Sequence, residues 1–170
     1  MRSLHRCLLA LALCASPFAT SALEPGQPAP EIAGTTLAGQ AIALSNYRGK
    51  VVLVDFWATW CPPCQLSLPA YDRLLAELRA AGHGEDFAIL AVNVDADPDD
   101  ARRQLQRRPL TYPSVSDPDG AAPTAYQVPA MPTAFLIGRD GVIRYIHKGY
   151  NKGEAESEVK PQILKLLQQG

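Results

Sequence analysis

A mixed β-sheet with helices on both faces, preceded by a short hairpin, is the fold class the sequence predicts, and three observations predict it. Val51 to Trp57 is a continuous β-branched and aromatic run, the pattern of a strand buried on both faces. Phe87 to Val94 is a second such run, and a helical pattern follows each of the two. Thr133 to Ile137 and Val142 to His147 then alternate around Arg139-Asp140-Gly141, as the arms of an antiparallel hairpin do.

Taken in order, residues 1–22 stand apart from the domain. Arg2, His5 and Arg6 give a positive start, Cys7 to Ala15 is a short apolar run, and Ser16-Pro17 breaks it ahead of Thr20-Ser21-Ala22. That order reads as a secretory signal peptide cleaved after Ala22, which implies a periplasmic location. Nine apolar residues are fewer than the roughly 20 a membrane span needs, so an uncleaved anchor is the weaker reading. Cys14 does not make a lipoprotein signal, because Leu13 stands before it in place of a small residue.

Residues 23–30 carry three prolines and a glycine and read as a linker, which puts the domain proper at residues 31–170. Ala41 to Leu44 is a short apolar stretch before a turn at Asn46 to Gly49, and the first long strand follows. Leu68, Tyr71, Leu75 and Leu78 recur at helical spacing until Gly82 and Gly84 stop the pattern. Asp97 to Arg108 is a polar helix with acids in its first turn and arginines in its last, the order the helix dipole favours. Asp117 to Gly120 is a turn, with a short helix through Tyr126 after it. Val159, Ile163, Leu166 and Leu167 line one face of a final helix, which Pro161 either kinks or begins. His147, at a strand end, reads as a surface residue.

Composition narrows the function. The 170 residues are 47% apolar and 19% charged, enough for one full core without disulfide staples. With 16 lysines and arginines against 17 acids and no long basic run, nucleic acid is excluded as a partner. Loss of residues 1–22 removes two arginines and no acid, leaving 14 bases against 17 acids and a formal charge of −3. It also removes Cys7 and Cys14, so the mature chain keeps only Cys61 and Cys64. A pair three apart closes too short a loop to stabilise a fold, and its purpose is to react or to bind.

Trp60-Cys61-Pro62-Pro63-Cys64 follows directly on the buried strand and opens a helix. Unpaired N–H groups at a helix start stabilise a thiolate, which makes Cys61 the nucleophile. Cys64, further into the helix, keeps the higher pKa and resolves the mixed disulfide that Cys61 forms. Prolines at 62 and 63 fit a first turn but remove two donors, and no histidine separates the cysteines, so the pair is expected to be reducing. A closed zinc site lacks ligands, since the mature chain adds only His83 and His147. A Cu(I)-handling metallochaperone with Cys61 and Cys64 as its two ligands is the alternative from a different class.

These segments resemble the thioredoxin superfamily. Val52 to Cys64 is similar to its active-site segment and Ala130 to Ile137 to its second signature. The chain most resembles the exported TlpA/ResA-type thiol–disulfide oxidoreductases over residues 28 to 168, with Ala91 to Asp95 and Arg139-Asp140-Gly141 in support. The resemblance implies a thioredoxin-like sheet and a thiol–disulfide oxidoreductase that reduces disulfides of extracytoplasmic proteins as a monomer. It also implies a membrane thiol electron donor and no cofactor, with an oxidase or isomerase as the nearest rival. Pro132 becomes the cis-proline, with Met131 and Trp60 beside it as the substrate-binding surface. Asp55, six residues before Cys61, matches the buried acid that takes a proton from the second cysteine, and Pro69 matches the kink proline. Three positions depart from relatives: Ser67 where ResA-like reductases carry a glutamate, Ala91 where thioredoxin has a lysine, and Pro132-Thr133 without an intervening glutamate.

Overall fold

The computed structural model describes residues 23–169. The expected signal peptide lies outside the described residues. A two-stranded antiparallel sheet, β1 (Ala33–Thr35) and β2 (Ala41–Ala43), precedes the main sheet. The main sheet is built from β3 (Val51–Trp57), β4 (Phe87–Asn93), β5 (Ser114–Ser116), β6 (Thr133–Ile137) and β7 (Ile143–Lys148). Its spatial order is β5-β4-β3-β6-β7, with β3, β4 and β5 parallel and β6 and β7 antiparallel to their neighbours. Among the described residues, four α-helices, α1 (Cys64–Leu78), α2 (Pro98–Arg107), α3 (Ala121–Ala125) and α4 (Lys160–Leu167), pack around the sheet.

Strand β3 is central, and its alternation divides the core in two. Val51, Leu53 and Trp57 face a cluster built from Leu68, Tyr71, Leu74, Leu75 and Leu78 of α1 and Ile163 and Leu166 of α4. Val52, Val54 and Phe56 face the other side, against Tyr126, Phe135 and Ile137. On that second side Phe56, Tyr126 and Phe135 meet with ring centroids 4.9 to 5.9 Å apart, and the Tyr126 hydroxyl donates to the Pro30 carbonyl at 2.7 Å. Tyr126→Phe is expected to cost about 1 kcal/mol, the worth of one hydrogen bond. Tyr126→Ala is expected to cost about 3–5 kcal/mol, as for other large aromatic truncations. Both are read from urea unfolding midpoints.

The sequence-predicted elements recur with shifted ends. Asp97 caps α2 by accepting from the Asp99 N–H at 3.0 Å, and Arg102 pairs with Asp99 and Arg103 with Asp100, so half of the arginine cluster serves its own helix. Gly82, at φ +92, breaks the helical path after α1. Pro161 sits in the first turn of α4, directly after a π-helical turn over Ala155–Val159. Gly141 in the β6–β7 turn has φ +79, and a Cβ there would fall 1.4 Å from Arg48 Nη1, so only glycine fits.

Three features differ from expectation. Segment 23–30, read as a linker, is tied to the domain: Gly26 donates to Ile143 O, Ile143 to Gln27 O and Ala29 to Gly141 O, all within 2.9 Å. It thereby covers part of the β7 edge. Strand β5 was not foreseen, because three residues are too few for a period to show. His147 is not a surface residue. It stands opposite Ala134 on the face that α4 covers, is only 7% exposed and bonds Gln162 Oε1 at 2.9 Å.

Candidate active site

Strand β3 ends at Trp57, and four residues later the chain reaches Cys61. Two features fix the loop between. The Trp57 indole N–H donates to Ser114 Oγ at 3.0 Å, anchoring the strand end to β5. The Thr59 N–H and hydroxyl donate to the buried Asp95 carboxylate at 3.0–3.2 Å, and Asn93 Nδ2 holds that carboxylate from behind at 2.8 Å. Sequence reasoning used Ala91 to Asp95 only for its likeness to relatives and missed this anchoring role.

Cys61 and Cys64 form a disulfide with an S–S distance of 2.09 Å. The Cys64 N–H donates to Cys61 Sγ at 3.2 Å. Pro62 and Pro63 have no N–H to add, as the sequence implies. Helix α1 therefore aims one donor at the first sulfur, and the arrangement favours negative charge on Cys61. In the disulfide form the two cysteines are 3% and 0% exposed, so the asymmetry between them rests on the helix start more than on exposure. Pro69 lies inside α1, and Ser67 is buried with its hydroxyl donating to the Cys64 carbonyl at 3.4 Å.

The Met131–Pro132 peptide is cis. The pairing of Thr133 with Phe56 brings Pro132 to the end of β3 that leads to the cysteines. Met131 packs against the cluster that contains both of them. Trp60, beside Cys61, is 66% exposed, an uncommon position for a large aromatic ring. These four positions thus converge on one end of the sheet.

Asp55 is fully buried, and neither of its carboxylate oxygens has a hydrogen-bond partner among the described residues. Alternation along β3 points it with Leu53 and Trp57 toward the cluster that holds Cys64. Its register partners are Ala91 on β4 and Ala134 on β6, so neither flanking strand brings a cation opposite it. Burial pushes its carboxyl well above the ordinary carboxylate range. Tyr71 and Tyr112 lie within its field: burial raises both phenols, and the Asp55 charge raises them further. Neither tyrosine was foreseen near this acid, because only the packed fold brings them there.

Known proteins similar to the chain point to its family. The Redoxin family profile matches residues 24–163. The chain is 36% identical over 129 residues to the thiol-disulfide oxidoreductase ResA of Geobacillus kaustophilus, covering 76% of this chain and 72% of that one. It is 31% identical over 176 residues to ResA of Bacillus thuringiensis, covering 98% and 96%. Among solved structures, that of a Chlorobium tepidum protein assigned as the thiol:disulfide interchange protein DsbE superposes with a TM-score of 0.79 at 37% identity, over 86% of this chain and 99% of that one. With a disulfide-bonded Cys61–Cys64 pair at the start of α1 and a cis peptide before Pro132, the chain belongs to the Redoxin family of the thioredoxin superfamily as a ResA/TlpA-type thiol–disulfide oxidoreductase.

Proposed function

We propose that the protein works in the reducing direction on disulfides of extracytoplasmic proteins. The Cys61 thiolate attacks one sulfur of the substrate disulfide, the other leaves as a thiolate, and a mixed disulfide remains. Asp55 takes the Cys64 proton, Cys64 attacks Cys61 Sγ, and the second substrate thiolate departs as the Cys61–Cys64 disulfide forms. A thiol donor, expected in the membrane, returns the pair to its dithiol form. Trp60, Met131 and the backbone around Pro132 form the surface on which an extended substrate segment lies. Residues 1–22 act as the export signal, residues 23–30 enter the domain along the β7 edge, and the rest of the domain spans residues 31–170.

The observation that carries the reading is the single N–H that α1 aims at Cys61 Sγ. One donor stabilises the thiolate enough for attack, but supplies less support than a strong oxidant's dithiol form requires. The pair is expected to equilibrate nearer to about −270 mV, the thioredoxin value, than to about −120 mV, the value of a strong oxidant. Equilibration against a glutathione series reads this directly. A value above roughly −180 mV assigns the protein to the oxidases or isomerases instead.

A further inference from the structure

The structure assigns a second site, for a divalent transition-metal ion of the zinc type, to the junction of β7 with the C-terminal helical segment. One ligand atom each from His147, Glu154 and Glu158 lies within 4.8 Å of the other two. His147 is the second-last residue of β7, and the two glutamates stand four apart around the π-helical turn, so they share one face. None of the three takes part in the dithiol chemistry.

Buried His147 and half-buried Glu154 are each held by their other atom. His147 Nε2 lies 2.9 Å from Gln162 Oε1, and a carboxamide oxygen can only accept. An Nε2–H donating there leaves Nδ1 as the ring atom turned toward Glu154. A ligating histidine with its second nitrogen donating to an outer oxygen has the same form. Glu154 Oε2 accepts from the Asn151 N–H at 2.8 Å and from Asn151 Nδ2 at 3.4 Å, which leaves Oε1 to point inward.

His147 Nδ1 and Glu154 Oε1 then face each other at 3.7 Å, on side chains only 6% and 11% exposed. A cation bound between them would satisfy both atoms out of water. The separation is too long for an N–H···O bond, which ends near about 3.2 Å. It is close to the distance of about 3.4 Å between two ligands on a tetrahedral ion with bonds of about 2.1 Å. Glu158, exposed one turn along, supplies the third ligand, and water completes the shell. Lys160, two residues after Glu158, is taken by Glu77 and Glu156, at 2.6 and 3.2 Å. One imidazole with two carboxylates suits zinc and its first-row neighbours better than calcium or magnesium, which prefer oxygen alone. Bound there, the ion ties the end of β7 to the C-terminal helix and stabilises the native state.

Zinc chloride titrated calorimetrically into the full chain, with Cys61–Cys64 kept as the disulfide, tests the site. One equivalent is expected to bind and to raise Tm. Glu158→Gln, an exposed change that leaves the core intact, should weaken that binding at least tenfold and remove the Tm rise. Gln162→Ala should weaken it by about 10–100-fold, as loss of an outer partner does. Zinc held by Cys7, Cys14 or His5 is common to all variants and cancels in the comparison. Wild type without zinc binding, or Glu158→Gln binding zinc as wild type does, overturns the assignment.

Discussion

Cys61→Ser is expected to abolish disulfide reduction, whereas Cys64→Ser retains the first attack and stops after one equivalent with substrate attached to Cys61. The difference follows from where the two sulfurs sit. Cys61 Sγ receives the Cys64 N–H at the start of α1, and that donor favours a thiolate on the first sulfur. In the reduced protein, substoichiometric alkylating reagent should label Cys61 first, as mass mapping reads directly. Preferential labelling of Cys64, or turnover by Cys61→Ser, would exchange the two roles. The same Cys64→Ser protein identifies the substrate class, because whatever remains joined to Cys61 is a captured partner.

The parts of this site that were legible in the sequence are those written in local pattern. A continuous apolar run needs no knowledge of its neighbours to be read as a buried strand, and β3 occupies the expected residues 51–57. A helix opening at a cysteine pair is likewise local, and so is the Asp97 cap of α2. What stayed hidden depends on register between distant segments. The Asp95 carboxylate holds Thr59 across 36 residues, and its sequence neighbours say nothing of that. Pairing of Gln27 with the start of β7 turns a proline-rich stretch into part of the sheet edge, which composition alone reads as linker. His147 looked like a strand-end surface residue because its burial comes from α4, joined through Gln162. For Asp55 the sequence suggests by likeness a buried acid with Ala91 where thioredoxin has a lysine, and the register adds Ala134 on its other side to complete its isolation.

That isolation makes Asp55→Asn the most informative single change. The variant keeps the shape and removes the base. Attack by Cys61 should be nearly unchanged, while resolution of the mixed disulfide slows by about 10²–10⁴-fold, the range general base catalysis supplies. Stopped-flow reduction of a model disulfide separates the two phases. Stability should change with a definite sign. Burial raises the native pKa of Asp55 above its unfolded value, so between the two values the native state holds a proton the unfolded chain has lost. Folding stability therefore falls as pH rises from about 4, the unfolded aspartate value, up to the native pKa. Below about pH 4 both states are protonated and the penalty vanishes. Asparagine carries no such penalty at any pH. Asp55→Asn should accordingly be more stable than wild type in urea melts at pH 7, with the advantage shrinking toward zero at pH 4. Equal resolution rates in the two proteins would place the base elsewhere, with water at Ser67 the next group to test, while a stability gain independent of pH would mean that Asp55 binds its proton equally in the native and unfolded chains and that burial does not raise its pKa.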